Sequence, residues 1–193
     1  MMPLNALLAL TILCDSNLRR RKELVFIVAL AFADVLFGLG TLLTGCFRIH
    51  ASNMLADGGN TTLPMVSPWS CYFTLRNMLT IYGMEVSILM LTAISLERLM
   101  AVAWFQKYAN IGIRKLVAWA IAVFTFPLIP LSYASYQVYI ASVQGALTSA
   151  TCGIGPPDWY GLFHNWFSGT VGIVSVVLYG GVLLAYRKAK KLL

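Results

Sequence analysis

Apolar residues run through this chain in long blocks, and polar residues gather at the ends of those blocks. Four blocks predict helices that cross a bilayer: 24–47, 72–104, 116–133 and 164–186. A helical span needs about 20 apolar residues at a rise of about 1.5 Å each. Block 116–133 is the shortest of the four, and Pro127 and Pro130 predict that it bends or ends early. Block 164–186 carries Gly169, Gly172, Gly180 and Gly181, which predict close approach of a neighbouring helix. A fifth run, 1–14, is apolar but short, and reads as a first helix present in part. A cleaved signal sequence is the rival for that run, but its basic residues follow the apolar stretch instead of preceding it.

Charge orders these blocks. Twelve of the 14 basic residues fall in three clusters at alternate block ends: Arg19 to Lys22; Arg98, Lys107, Arg114 and Lys115; and Arg187, Lys188, Lys190 and Lys191. Residues 134–163 contain neither Lys nor Arg. Cytoplasmic loops retain Lys and Arg, so the spacing predicts a multi-pass chain with its N-terminus outside. The outer connections are then 49–70 and 134–163. The first holds the glycosylation sequon Asn60-Thr61-Thr62. Cys71 and Cys152 also fall on the outer, oxidising side. Cys14 and Cys46, near helix ends, read as apolar packing residues.

Composition supports lipid as the surrounding medium. The chain is 59% hydrophobic and 11% charged, with mean hydropathy +0.77, where soluble domains are about a quarter charged. The net charge of +7 sits in short connections and at the chain end, not on one soluble face, so no nucleic-acid partner is expected. No enzyme is expected either. His50 and His164 stand alone and read as interfacial, and no metal-ligand cluster, Ser-His-Asp set or phosphate-binding Gly loop is present.

Charged residues inside a span are costly and each asks for a role. Asp34 lies 12 residues past Lys22, about 18 Å along the helix and near mid-depth. Glu97-Arg98 lies at the inner end of the third helix. Glu85 lies 13 residues earlier, about 20 Å towards the outside. It stands about 200° around the helix from Ser87, which aims it at the fourth and fifth helices. Either a ligand-pocket contact or an acid bonded to a neighbouring helix accounts for it.

The residues at these depths, taken together, resemble a known family. Asn5, Leu30-Ala31-Phe32-Ala33-Asp34, Cys71, Ser95-Leu96-Glu97-Arg98, Trp119, Cys152 and Tyr179 are similar, in order and sidedness, to rhodopsin-type G-protein-coupled receptors. The stretch from Asn17 to Asp34, with Leu39-Gly40-Thr41-Leu42-Leu43, looks more narrowly like the nematode serpentine chemoreceptors of class SX. The resemblance implies an all-α polytopic bundle, with five helices of a seven-helix receptor fold, in the plasma membrane. It implies an activation switch at Glu97, Arg98 and Tyr179, and a disulfide between Cys71 and Cys152. Asn5, Asp34 and Ser87 correspond to a polar core that holds a sodium ion, with a protonated Asp34 bonded to Asn5 and Ser87 as the alternative; no other cofactor is implied. Thr80, Ile81 and Met84, with Glu85, lie at ligand-contacting depth. The implied partners are an extracellular small molecule or peptide and a heterotrimeric G protein.

The chain departs from that pattern in places. Leu99 stands where the family has Tyr, Phe105 and Val171 where it has Pro, while Tyr108 is kept. Nothing in the sequence resembles the family's sixth and seventh helices, so these residues by themselves are expected not to signal. Two other functions compete. One is a non-signalling membrane partner that pairs with full-length receptors through the fifth helix. The other is a small multi-span transporter, which would call for inverted repeats or helices broken at mid-depth.

Overall fold

The computed structural model describes residues 2–57, 65–149 and 158–190. Asn60 and Cys152 therefore lie outside the described residues. In chain order the elements are α1 Met2–Cys14, α2 Ser16–Arg19, a 3-10 turn Lys22–Leu24, α3 Val25–Asp57, β1 Met65–Val66, α4 Pro68–Tyr72, α5 Leu75–Ala103, α6 Phe105–Ala109, α7 Ile113–Thr125, α8 Leu128–Val143, β2 Thr148–Ser149 and α9 Asp158–Lys190. The two short strands pair antiparallel, Met65 opposite Ser149 and Val66 opposite Thr148. Four helical stretches are long and apolar enough to cross a membrane: Lys22–Asn53, Leu75–Ala103, Ile113–Val143 and Trp159–Lys188. The fold is thus an all-α membrane bundle, with Met2–Cys14 as a shorter apolar helix.

Three boundaries differ from those expected. The block 24–47 does not end at 47: its helix continues to Asp57. The block 72–104 does not begin as one helix at 72. Pro68 at the first helical position starts the separate turn α4, and α5 begins only after Phe73 and Thr74. The block 116–133 does not stop at 133. Pro127 caps α8 and Pro130 falls in its first turn, where backbone amides lack helical partners anyway. Backbone bonds carry the ladder across the join, from Phe126 N to Ala122 O (3.0 Å) and from Leu131 N to Pro127 O (3.3 Å). The prolines mark the break between α7 and α8, and residues 134–143, expected in an outer connection, are helical.

α5 is the axis of the bundle, with α3 packed along one side, α9 along another and α7 against both α3 and α5. The α3–α5 seam is the tightest. A Cβ on Gly40 would lie 2.5 Å from the Thr80 backbone nitrogen, and one on Gly83 would lie 2.5 Å from that of Phe37. Only glycine lets two backbones come this close. The glycines of α9 behave otherwise: Gly169, Gly172 and Gly180 face open space, and Gly181 meets only the end of Leu99 at 3.7 Å. The close approach expected at α9 occurs instead between α3 and α5, because Gly169, Gly172 and Gly180 of α9 face away from its neighbours.

Two apolar clusters fill the interior. Phe26, Ala33, Val86, Met90, Leu116 and Ala120 join α3, α5 and α7. Tyr72, Ile81, Leu131, Ala134, Val138 and Tyr160 join α4, α5, α8 and α9. The outward surface is apolar, as lipid contact requires; Trp166 and Val176 on α9 are about three-quarters exposed (75% and 73%). Cys14 and Cys46 are exposed free thiols, so neither packs in the interior as expected.

Candidate functional site: three polar stations along one helix

Polar groups meet α5 at three levels. At its basic end Glu97 is buried to 1% exposure. Its Oε2 lies 3.3 Å from Arg98 Nε, and its Oε1 accepts a hydrogen bond from the Tyr108 hydroxyl. Tyr108 is delivered by α6, the short helix that turns back after α5. Burial pushes its phenol above the usual tyrosine range, and Glu97 adds to the effect. Lys22, from the first basic cluster, then fixes that turn. Its ammonium donates to the Tyr108 carbonyl (2.8 Å) and the Ala109 carbonyl (3.3 Å), and stands 4.2 Å over the Tyr108 ring. Arg98 keeps 38% side-chain exposure. One carboxylate thus holds a buried phenol and a half-exposed guanidinium, and the guanidinium can exchange partners without unpacking the core. Tyr179 is 57% exposed and joins none of the described hydrogen bonds around Glu97.

Above this level Thr92 donates to the Val171 carbonyl of α9 at 3.3 Å, and the Ser95 and Ser175 hydroxyls lie 3.2 Å apart. At mid-depth Asp34 gathers the residues expected beside it. Asn5 Nδ2 donates to Oδ2 at 2.9 Å and Ser87 Oγ to Oδ1 at 2.8 Å, which ties α1, α3 and α5 together. The carboxylate and the hydroxyl are hard oxygen donors suited to a small cation. The same two bonds also describe the alternative, an acid held by its neighbours.

The third station lies about 3 Å further along, on a different face of α5. Glu85, 1% exposed, accepts from the Tyr160 hydroxyl at 3.1 Å, and its Oε1 lies 2.9 Å from His164 Nδ1. Both partners are on α9. The expected direction of Glu85 is therefore found, but His164 is not an interfacial loner: its side chain is 13% exposed and closes on Glu85. Sequence reasoning missed this pair because the partners are 79 residues apart. A signal existed. Tyr160 and His164 are four apart and share a helix face.

The other expected ligand contacts do not line one pocket. Thr80 faces α3 at the Gly40 contact. Ile81 is buried with Tyr72 and Leu131. Met84 is half-buried. Cys71 is disulfide-bonded, while Cys152, the implied partner, and Asn60 lie outside the described residues. Beside Cys71, Tyr72 is buried and its phenol is pushed up to about 12, chiefly by that burial. No group of three or more His, Cys, Asp or Glu able to hold a metal occurs among the described residues.

Against known families, the sequence model of the 7 transmembrane receptor (rhodopsin family) matches residues 4–192. No curated protein matches the chain.

Proposed function

Because the chain belongs to the rhodopsin family of seven-transmembrane receptors, we propose that it senses an extracellular small molecule or peptide and signals to a heterotrimeric G protein. In this reading it lies in the plasma membrane with its N-terminus outside, as a chemoreceptor of the serpentine SX type. The observation that carries the reading is the Glu97 station. A buried carboxylate there restrains a half-exposed arginine at the basic end of the bundle's central helix. Two ionic arrangements of that arginine give a two-state element whose populations a ligand can shift. Glu85, on the same helix and held by α9, is the polar contact through which a ligand would bias it. Asp34 and Ser87 would hold a sodium ion between the two stations, and the cation would balance the Asp34 charge.

The test uses the native protein that carries this sequence, expressed with a G-protein dissociation sensor. Glu97→Gln weakens the restraint on Arg98 and is expected to raise ligand-independent signalling several-fold. Arg98→Ala is expected to abolish coupling at equal surface density. An Arg98→Ala variant that couples like the parent protein removes the switch role.

A further inference from the structure

Two basic residues stand apart from the three clusters, Arg48 and Arg76. Arg48 is exposed, whereas Arg76, in the first turn of α5, is only 8% exposed. The Phe47 ring covers one face of its guanidinium at 3.4 Å. A ring face attracts the cation but cannot accept its in-plane N–H bonds. Arg76 Nε has no hydrogen-bond partner. The ion pairs among the described residues, Arg98 with Glu97 and His164 with Glu85, do not include Arg76.

Arg76 also lines a cavity of about 480 Å³ between α3, β1, α4 and the start of α5. Its other walls are largely apolar, from Leu43, Phe47, Val66 and Leu75. Thr74 and Ser70 add hydroxyls, but both protons are already given to the backbone, at Cys71 O (3.1 Å) and Ser67 O (2.8 Å). The unused donor on this wall is therefore the arginine. Ligand sites commonly have about this size, apolar walls and a few placed polar groups. A buried charged donor without a partner is costly, and a guanidinium edge matches the two oxygens of a carboxylate or phosphate.

We infer that this cavity binds an anionic amphiphile, its carboxylate or phosphate oxygens on Arg76 and its apolar chain against Leu43, Phe47 and Leu75. The site is separate from the Glu85 station. It does not depend on G-protein coupling, so either reading can fail without the other.

Radiolabelled decanoate is the probe, with decanol as the uncharged control. The whole protein is held in nanodiscs of neutral phosphatidylcholine. Saturable decanoate binding is expected, with decanol at least tenfold weaker as a competitor. Arg76→Gln should weaken decanoate at least tenfold and leave decanol unchanged, with Arg76→Lys in between. Leu43→Trp fills the cavity while keeping the arginine and should also weaken decanoate, which guards against misfolding of the arginine variants. Repeating the measurement with phosphatidylglycerol in the disc separates the sources. Loss of decanoate binding there marks a membrane lipid as the natural occupant, and unchanged binding marks a free amphiphile. Absence of saturable binding in neutral discs, equal competition by decanol, or indifference to both Arg76→Gln and Leu43→Trp overturns the inference.

Discussion

The two long seams of α5 differ in what dominates them. Against α3 it packs backbone to backbone, with Gly40 and Gly83 removing the side chains that would hold the helices apart. Against α9 it reaches across with polar side chains, Glu85 to Tyr160 and His164, Thr92 to Val171, and Ser95 to Ser175. The first seam has one solution, because backbone atoms in contact cannot rotate out of the way. The second consists of bonds that can be exchanged one at a time. A bundle that must both persist and rearrange gains from concentrating the two kinds of contact on different faces of one helix, with Ser87 to Asp34 as the polar link in the glycine seam.

Substitutions can break that contrast, and their expected effects fall in order. Gly40→Ala or Gly83→Ala puts a methyl into backbone atoms and should each cost about 3 kcal/mol, the upper end of the usual overpacking range. The readout is thermal unfolding in nanodiscs; a loss below about 0.5 kcal/mol would show that the seam is looser than described. His164→Ala leaves the buried Glu85 with Tyr160 alone and should cost about 1–2 kcal/mol, seen as a lower melting temperature that Tyr160→Phe lowers further. Ser175→Ala removes one interhelical bond and is expected to cost about 0.6 kcal/mol, the typical value inside membranes. Gly172→Ala, facing open space, should stabilise by at most about 1 kcal/mol. A marked loss at Gly172 would mean that α9 has a close neighbour after all.

Much of this was legible in the sequence because it is local. Apolar length marks the spans, and charge marks their ends. Residue counts from Lys22 and Arg98 place Asp34 and Ser87 at one depth, where they do meet. Other features were not legible, for specific reasons. Pro127 and Pro130 read as terminators because a proline that ends a helix and one in the first turn of the next look alike in sequence. The glycines of α9 read as contact points because composition does not say which face meets a partner. His164 was set aside because helix-to-helix register across 79 residues is a tertiary fact. Arg76 gave no signal at all; its meaning depends on a cavity wall.

Glu85 also imposes an order on assembly in time. Its two partners are made 75 and 79 residues later. At about 5–20 residues per second of synthesis, the interval is roughly 4–16 s. Throughout it α3 and α5 can already close along their glycines, while an acid within α5 has neither of the groups that later hold it. Until α9 arrives, that acid must be kept hydrated or screened by the insertion machinery. The arrival of α9 therefore completes the maturation of this station as well as its structure.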